Sequence, residues 1–193
     1  MSPARRVRSA GIDRAALLRF LRSLGIDPAR DPEFAETVDR MASFYEERTA
    51  GLRSEENPLR PLRYRGRAGE TVALEGIPVY GLCPHHLVPY FGEASIRYTP
   101  RDRVCGTGSL ARLARDLALI PRLQEDLTQA IADRLERALD PVSVEVRVRA
   151  RHLCLEMRGV EQRAEFVTEA RRGSAAPGDS GGGARPPSRP KRR

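Results

Sequence analysis

VSVEVRVRARHLCLEMR, residues 142–158, is the stretch on which the reading of the fold turns. Val142, Val144, Val146 and Val148 fall on one side of an extended chain, with Ser143, Glu145, Arg147 and Arg149 on the other. Alternation of β-branched and polar residues is the period of a strand with one buried and one wet face. A further strand is read beyond it, with Leu153, Leu155 and Met157 on one side and His152, Cys154, Glu156 and Arg158 on the other. A thiol, an imidazole and a guanidinium are thus expected on one strand face.

Working backwards, Asp140-Pro141 ends an apolar stripe over 122–139 (Leu123, Leu127, Ile131, Leu135, Leu139), which has helical spacing. Pro121 separates it from a second helix over 108–120, with Leu110, Leu113, Ala114 and Leu117 on one face. EASIRY (93–98) alternates as a strand, and TVALEGIPVY (71–80) is another, where Gly76 and Pro78 point to a bulge or an edge. Residues 52–69 are polar and interrupted by Pro58, Pro61 and Gly66, an irregular link. Two leading helices are expected over 14–24 and 31–49. The organisation predicted is a flexible basic lead (1–10), a helical N-terminal region and link (11–70), a catalytic domain (71–170) and a disordered basic tail (171–193). The fold class is α+β: an antiparallel sheet with two packed helices behind a helical N-terminal region. A sheet this small leaves edges and a face open, so association into a larger sheet or barrel is expected.

The formal charge of +8 would signal a polyanion partner if it lay on the fold. It does not: residues 171–193 carry +6, Arg5, Arg6 and Arg8 add +3, and residues 11–170 sum to −1. With five Phe, five Tyr and no Trp, stacking platforms for single strands are scarce, so no specific nucleic acid partner is expected. No apolar run is long enough to span a membrane, and three cysteines without an export signal indicate a reducing, cytoplasmic setting.

Chemistry concentrates in two short segments. GLCPHHLVPYFG (81–92) holds Cys83 and His86 at a spacing that can bite one metal from a bend, which turns His85 elsewhere. An isolated C-x2-H is more often a core thiol with surface histidines. Here, however, all three histidines and two of three cysteines fall within 83–86 and 152–154. Cys154 would complete a Cys2His set with an open position, the pattern of a catalytic zinc ion that activates water. His85 and His152 remain to move protons. Cys105 lacks such company and reads as a packed thiol.

Three motifs in order make the chain resemble the GTP cyclohydrolase I family from about Leu17 to Gly159. CPHHLVPYFG matches the family's Cys-Glu-His-His segment with its following Pro and Phe-Gly, HLCLEMRG (152–159) its His-x-Cys-x-x-x-Arg-Gly segment, and QEDLT (124–128) the Gln-Glu and Leu-Thr between them. The resemblance implies a T-fold, in which small sheets from several subunits close into a barrel, hence a homo-oligomer with shared active sites. It implies Zn2+ on Cys83, His86 and Cys154, proton transfer by His85 and His152, and guanine contacts from Gln124 and Glu125. A carboxylate suits guanine because it accepts from N1–H and the exocyclic amine together.

Arg112, Arg158 and Ser109 are implied at the triphosphate. The reaction implied is hydrolytic opening of the imidazole ring of GTP with release of formate, giving 7,8-dihydroneopterin triphosphate. Two departures bear on this. Ser109 stands where the family places a phosphate-contacting lysine, removing charge-assisted bonds of roughly 1.5–3 kcal/mol each, and Pro84 replaces a glutamate. Alternatives follow: a divergent cyclohydrolase acting on another guanine nucleotide or related purine, or a non-catalytic zinc-containing purine-binding homologue.

Overall fold

The computed structural model describes residues 11–53 and 57–173; the lead over 1–10 and the tail beyond Gly173 lie outside the described residues. The two leading helices form as α1 (Arg14–Ser23) and α2 (Thr37–Arg48). Asp13 caps α1, its carboxylate accepting from the N–H groups of Ala15 and Ala16 at 2.9 and 3.1 Å. The expected helix over 31–49 starts late, because Asp31 and Pro32 open a separate 3-10 turn, Pro32–Phe34. The link holds a short strand, β1 (Leu62–Arg63), which pairs antiparallel with β4 (Arg103–Val104).

The main sheet has four antiparallel strands in the order β2 (Val72–Leu82), β3 (Pro89–Thr99), β5 (Ser143–His152) and β6 (Glu165–Gly173). Its inner face carries Ile77, Val79, Ala94, Ile96, Val144, Val146 and Val148, all buried. Two helices cover it, α3 (Thr107–Ala118) against β2 and α4 (Gln124–Leu139) against β5 and β6. Leu110, Leu113, Leu127, Ile131 and Leu135 have at most 1% exposure, and burying each contributes about 1.5–3 kcal/mol. The expected bulge in β2 is present: the register slips between Leu74 and Ile77, and Gly76 takes φ +66°. β2 is also an edge strand, where Pro78 leaves no inner partner without a donor.

Three expectations need correction. Val142 lies outside β5 and is 37% exposed. The strand read over 153–158 is absent; after His152 the chain turns through α5 (Leu153–Glu156). Arg151 explains this, since its Nε donates to Glu156 Oε1 at 2.8 Å and its Nη2 donates to Oε2. In a strand, five residues would separate the two by on the order of 16 Å. Cys154 and Arg158 therefore do not share a strand face. Finally, Arg171, Arg172 and Gly173, assigned to the tail, close β6.

β6 has only Ala170 buried and is held on the wet face by charge. Arg147–Glu169, Arg149–Glu165 and Arg171–Glu145 lie at 3.5, 3.6 and 3.1 Å across β5 and β6. Cross-strand pairs of this kind contribute roughly 0.2–1 kcal/mol each.

Gly92 lets β3 and β5 approach closely: a Cβ there would sit 2.0 Å from the Arg149 carbonyl oxygen and 2.6 Å from Ala150 Cα. Both obstacles are backbone. Gly92→Ala should destabilise the fold by at least about 2 kcal/mol through overpacking, read as a lower urea midpoint at unchanged slope. An unaltered midpoint would show that the strands separate freely here.

Candidate active site

The β2–β3 connection and the end of β5 meet because of sheet register. Tyr90 on β3 pairs with His152 on β5, so the chain leaving His152 turns beside the loop that precedes Tyr90. That loop is tight: Leu87 N–H donates to the Cys83 carbonyl at 2.8 Å, with Leu87 at φ +53°. Cys83 N–H in turn donates to Val88 O at 3.0 Å. The bend sets Cys83 Sγ 3.9 Å from His86 Nδ1, while α5 brings Cys154 to the same place.

Cys83 Sγ, Cys154 Sγ and a ring nitrogen of His86 lie within 4.8 Å of one another, with both cysteines free. The donor chemistry fits a metal ion: two soft thiols and an imidazole are a borderline-soft cation's ligands. Burial, followed by the Cys83 sulfur, pushes the Cys154 thiol up, a strain on ionisation that a bound cation would relieve. Cys83 is buried, Cys154 half-buried and His86 exposed, so the set opens outward. Arg158, also exposed, donates to His86 Nε2.

Beside this set lies a cavity of about 260 Å³. Of the expected site residues, Cys83, His85, Gln124, Glu125, His152 and Cys154 line it. Ser109 and Arg112 do not. They occupy the first turns of α3, where Arg112 Nη2 donates to Ser109 Oγ at 3.3 Å. Arg158 is likewise outside the lining.

His152 is the most constrained group in the cavity. Its ring stacks on Tyr90, centroids 4.9 Å apart at 13°, and meets Phe166 edge-on. Gln124, 1% exposed, fixes its tautomer. Gln124 Nε2 donates to the carbonyls of Val148 and Phe166, both at 3.0 Å, and lies 3.1 Å from Thr168 Oγ1. Carbonyls can only accept, so the amide nitrogen must face them and Oε1 must face His152 Nε2, 2.8 Å away. Nε2 therefore carries the proton and Nδ1 the lone pair. Burial lowers the basicity of the ring, and Glu125 opposes that shift.

The side chain of Gln124, a residue expected at the guanine, is turned into the fold. Its donors and its acceptor are engaged within the fold, and Thr128, donating to Gln124 O at 2.8 Å, braces the same residue. Glu125, in the first turn of α4, is exposed on the cavity wall and remains available. Sequence reasoning missed Arg122, which also lines the cavity. A charged residue two positions before the Gln-Glu pair, in a break between two apolar helices, was the signal for it.

No helix among the described residues is long and apolar enough to cross a membrane. Comparison with known proteins places the chain. Residues 14–179 match the family described as GTP cyclohydrolase I. The GTP cyclohydrolase 1 of Thermoanaerobacter pseudethanolicus is 40% identical over 160 residues, 82% of this chain and 85% of that protein. That of Corynebacterium glutamicum is 41% identical over 156 residues, 80% of this chain and 79% of its own. An archaeosine synthase QueF-Like structure in the apo form aligns at a TM-score of 0.42 and 20% identity, over 54% of this chain and 96% of that one. Matches of this extent, together with the Cys83, His86 and Cys154 cluster, establish that the chain is an enzyme of the GTP cyclohydrolase type and belongs to the GTP cyclohydrolase I family.

Proposed function

We propose that the chain opens the imidazole ring of GTP by hydrolysis, releases formate and yields 7,8-dihydroneopterin triphosphate. The observation that carries this reading is the convergence of Cys83 and Cys154, His85 and His152, and Glu125 on one cavity, with His86 completing the donor set. Cys83, His86 and Cys154 would hold Zn2+, which when bound supplies Lewis acidity and an activated water. Glu125 orients the base by accepting from guanine N1–H and the exocyclic amine. His152, held in one tautomer by Gln124, takes and returns protons at Nδ1, and His85 serves as its exposed partner across the cavity.

At about 260 Å³ the cavity sits just below the roughly 300–1,000 Å³ of sites for whole small molecules. It suits the base, with ribose and phosphates extending outward. Arg158 at the rim, and Ser109 and Arg112 of a second copy, are the groups we assign to the phosphates. A homo-oligomer with shared sites accounts for the distance of Ser109 and Arg112 from the cavity of their own chain. Exposed Tyr80, Phe166 and Val167 on the edge strands suit such assembly.

Purified zinc-loaded protein should release formate and form a pterin from GTP, with GDP, GMP and guanosine run beside it. Preference for GTP supports the reading. Equal use of GDP or GMP would make the enzyme a cyclohydrolase of another guanine nucleotide, and no formate from any of them would defeat the proposal.

A further inference from the structure

Two buried side-chain polar atoms among the described residues have no hydrogen-bond partner, Tyr90 Oη and Arg122 Nε. They influence each other electrostatically, and Tyr90 carries the ring on which His152 stacks. Arg122 is the more telling. It lines the cavity, half-buried, yet no carboxylate among the described residues forms an ion pair with it. Burial works against its charge, and Tyr90 and Asp126 oppose that only at a distance. A guanidinium cannot shed its proton, so a partly desolvated one without a counter-charge is a standing cost unless a ligand supplies the acceptor.

The ligand's chemistry follows from Glu125, three residues on and lining the same cavity. The Watson–Crick edge of guanine presents two donors, N1–H and the 2-amine, next to one acceptor, O6. A carboxylate answers the donors and leaves O6 facing a neighbouring position that needs an N–H group. Phosphates lie at the opposite end of the nucleotide, so a residue beside Glu125 meets the base. We infer that Arg122 is a specificity-determining residue that donates to guanine O6, completing with Glu125 a donor–acceptor match to the whole base edge. This rests on the reading that the cavity takes guanine.

The test measures kcat/KM for GTP, 6-thio-GTP and ITP in zinc-loaded wild type, Arg122→Met and Arg122→Lys. 6-Thio-GTP keeps N1–H and the amine but replaces O6 with a poor acceptor; ITP keeps O6 and lacks the amine. Ratios between substrates within one preparation do not depend on how much of a variant is folded. Wild type should prefer GTP over 6-thio-GTP by roughly 10–100-fold, the worth of one hydrogen bond to a charged group. Arg122→Met should bring that ratio to within about threefold, Arg122→Lys should keep part of it, and the GTP/ITP ratio should stay as in wild type. An unchanged GTP/6-thio-GTP ratio in Arg122→Met overturns the inference while leaving the proposed function standing. A loss that instead falls equally on all three substrates assigns Arg122 to the phosphates or to the fold and overturns it too. Failure of wild type to turn over any of them removes the guanine reading and the inference with it.

Discussion

Cys154→Ser is expected to lower bound zinc from about one ion per chain to a small fraction and to abolish formate release. Cys154 sits on α5 within 4.8 Å of Cys83 and His86, as one of three donors. Changes in groups that merely support a ligand typically cost 10–100-fold in metal affinity, and losing a thiolate itself should exceed that range. Serine matches cysteine in shape and Cys154 is only half-buried, so the metal-free variant should unfold close to metal-free wild type. Cys105 supplies the control. It is buried beside Tyr98, burial pushes its thiol up, and it belongs to no metal-ligating group among the described residues. Cys105→Ala should therefore keep its zinc. Retention of a full zinc complement by Cys154→Ser, or its loss in Cys105→Ala, would contradict the assignment of the donors.

Gln124→Glu is expected to destabilise the fold more than Gln124→Leu, although it looks the milder change. The amide nitrogen faces two carbonyl oxygens and a hydroxyl at 3.0–3.1 Å. A carboxylate in its place sets negative charge against those oxygens in a position with 1% exposure, and even when protonated has one donor where the amide has two. Destabilisation of about 3–5 kcal/mol is expected, the scale of an uncompensated buried charge. Leucine removes the bonds without adding charge, and should cost about 1–3 kcal/mol. Leucine also releases His152 from its tautomer, so kcat for formate release in Gln124→Leu should fall by roughly 100-fold or more with a smaller change in KM, whereas in Gln124→Glu a carboxylate oxygen can still accept from His152 Nε2–H. Equal stabilities, or a kcat near wild type in Gln124→Leu, would show that the amide is not what orients the ring.

What the sequence disclosed and what it hid have physical reasons. The valines of β5 and the leucines of α3 and α4 were legible because each element buries one face, and burial writes its period into the chain. β6 was hidden because only Ala170 of its residues is buried; its register is fixed by Glu145, Arg147 and Arg149 across the strand, a pairing that no single segment reveals. The turn after His152 was read as strand because LCLEM alternates in either conformation; the Arg151–Glu156 pair decides it. The metal-donor set was legible from the concentration of thiols and imidazoles in two segments. The orientation of the Gln124 amide was not, because a motif gives a residue's type and place but not which way its side chain is turned. Arg122 passed unnoticed since an arginine between helices is ordinarily solvated, and only the cavity shows that this one is not.

Zinc K-edge X-ray absorption on the metal-loaded protein tests the central claim most directly. Two sulfur ligands at about 2.3 Å, one imidazole nitrogen at about 2.0–2.1 Å and one further light atom are predicted, with that light-atom position altered by a bound guanine nucleotide. A first shell of four sulfurs, or of nitrogen and oxygen alone, would contradict it.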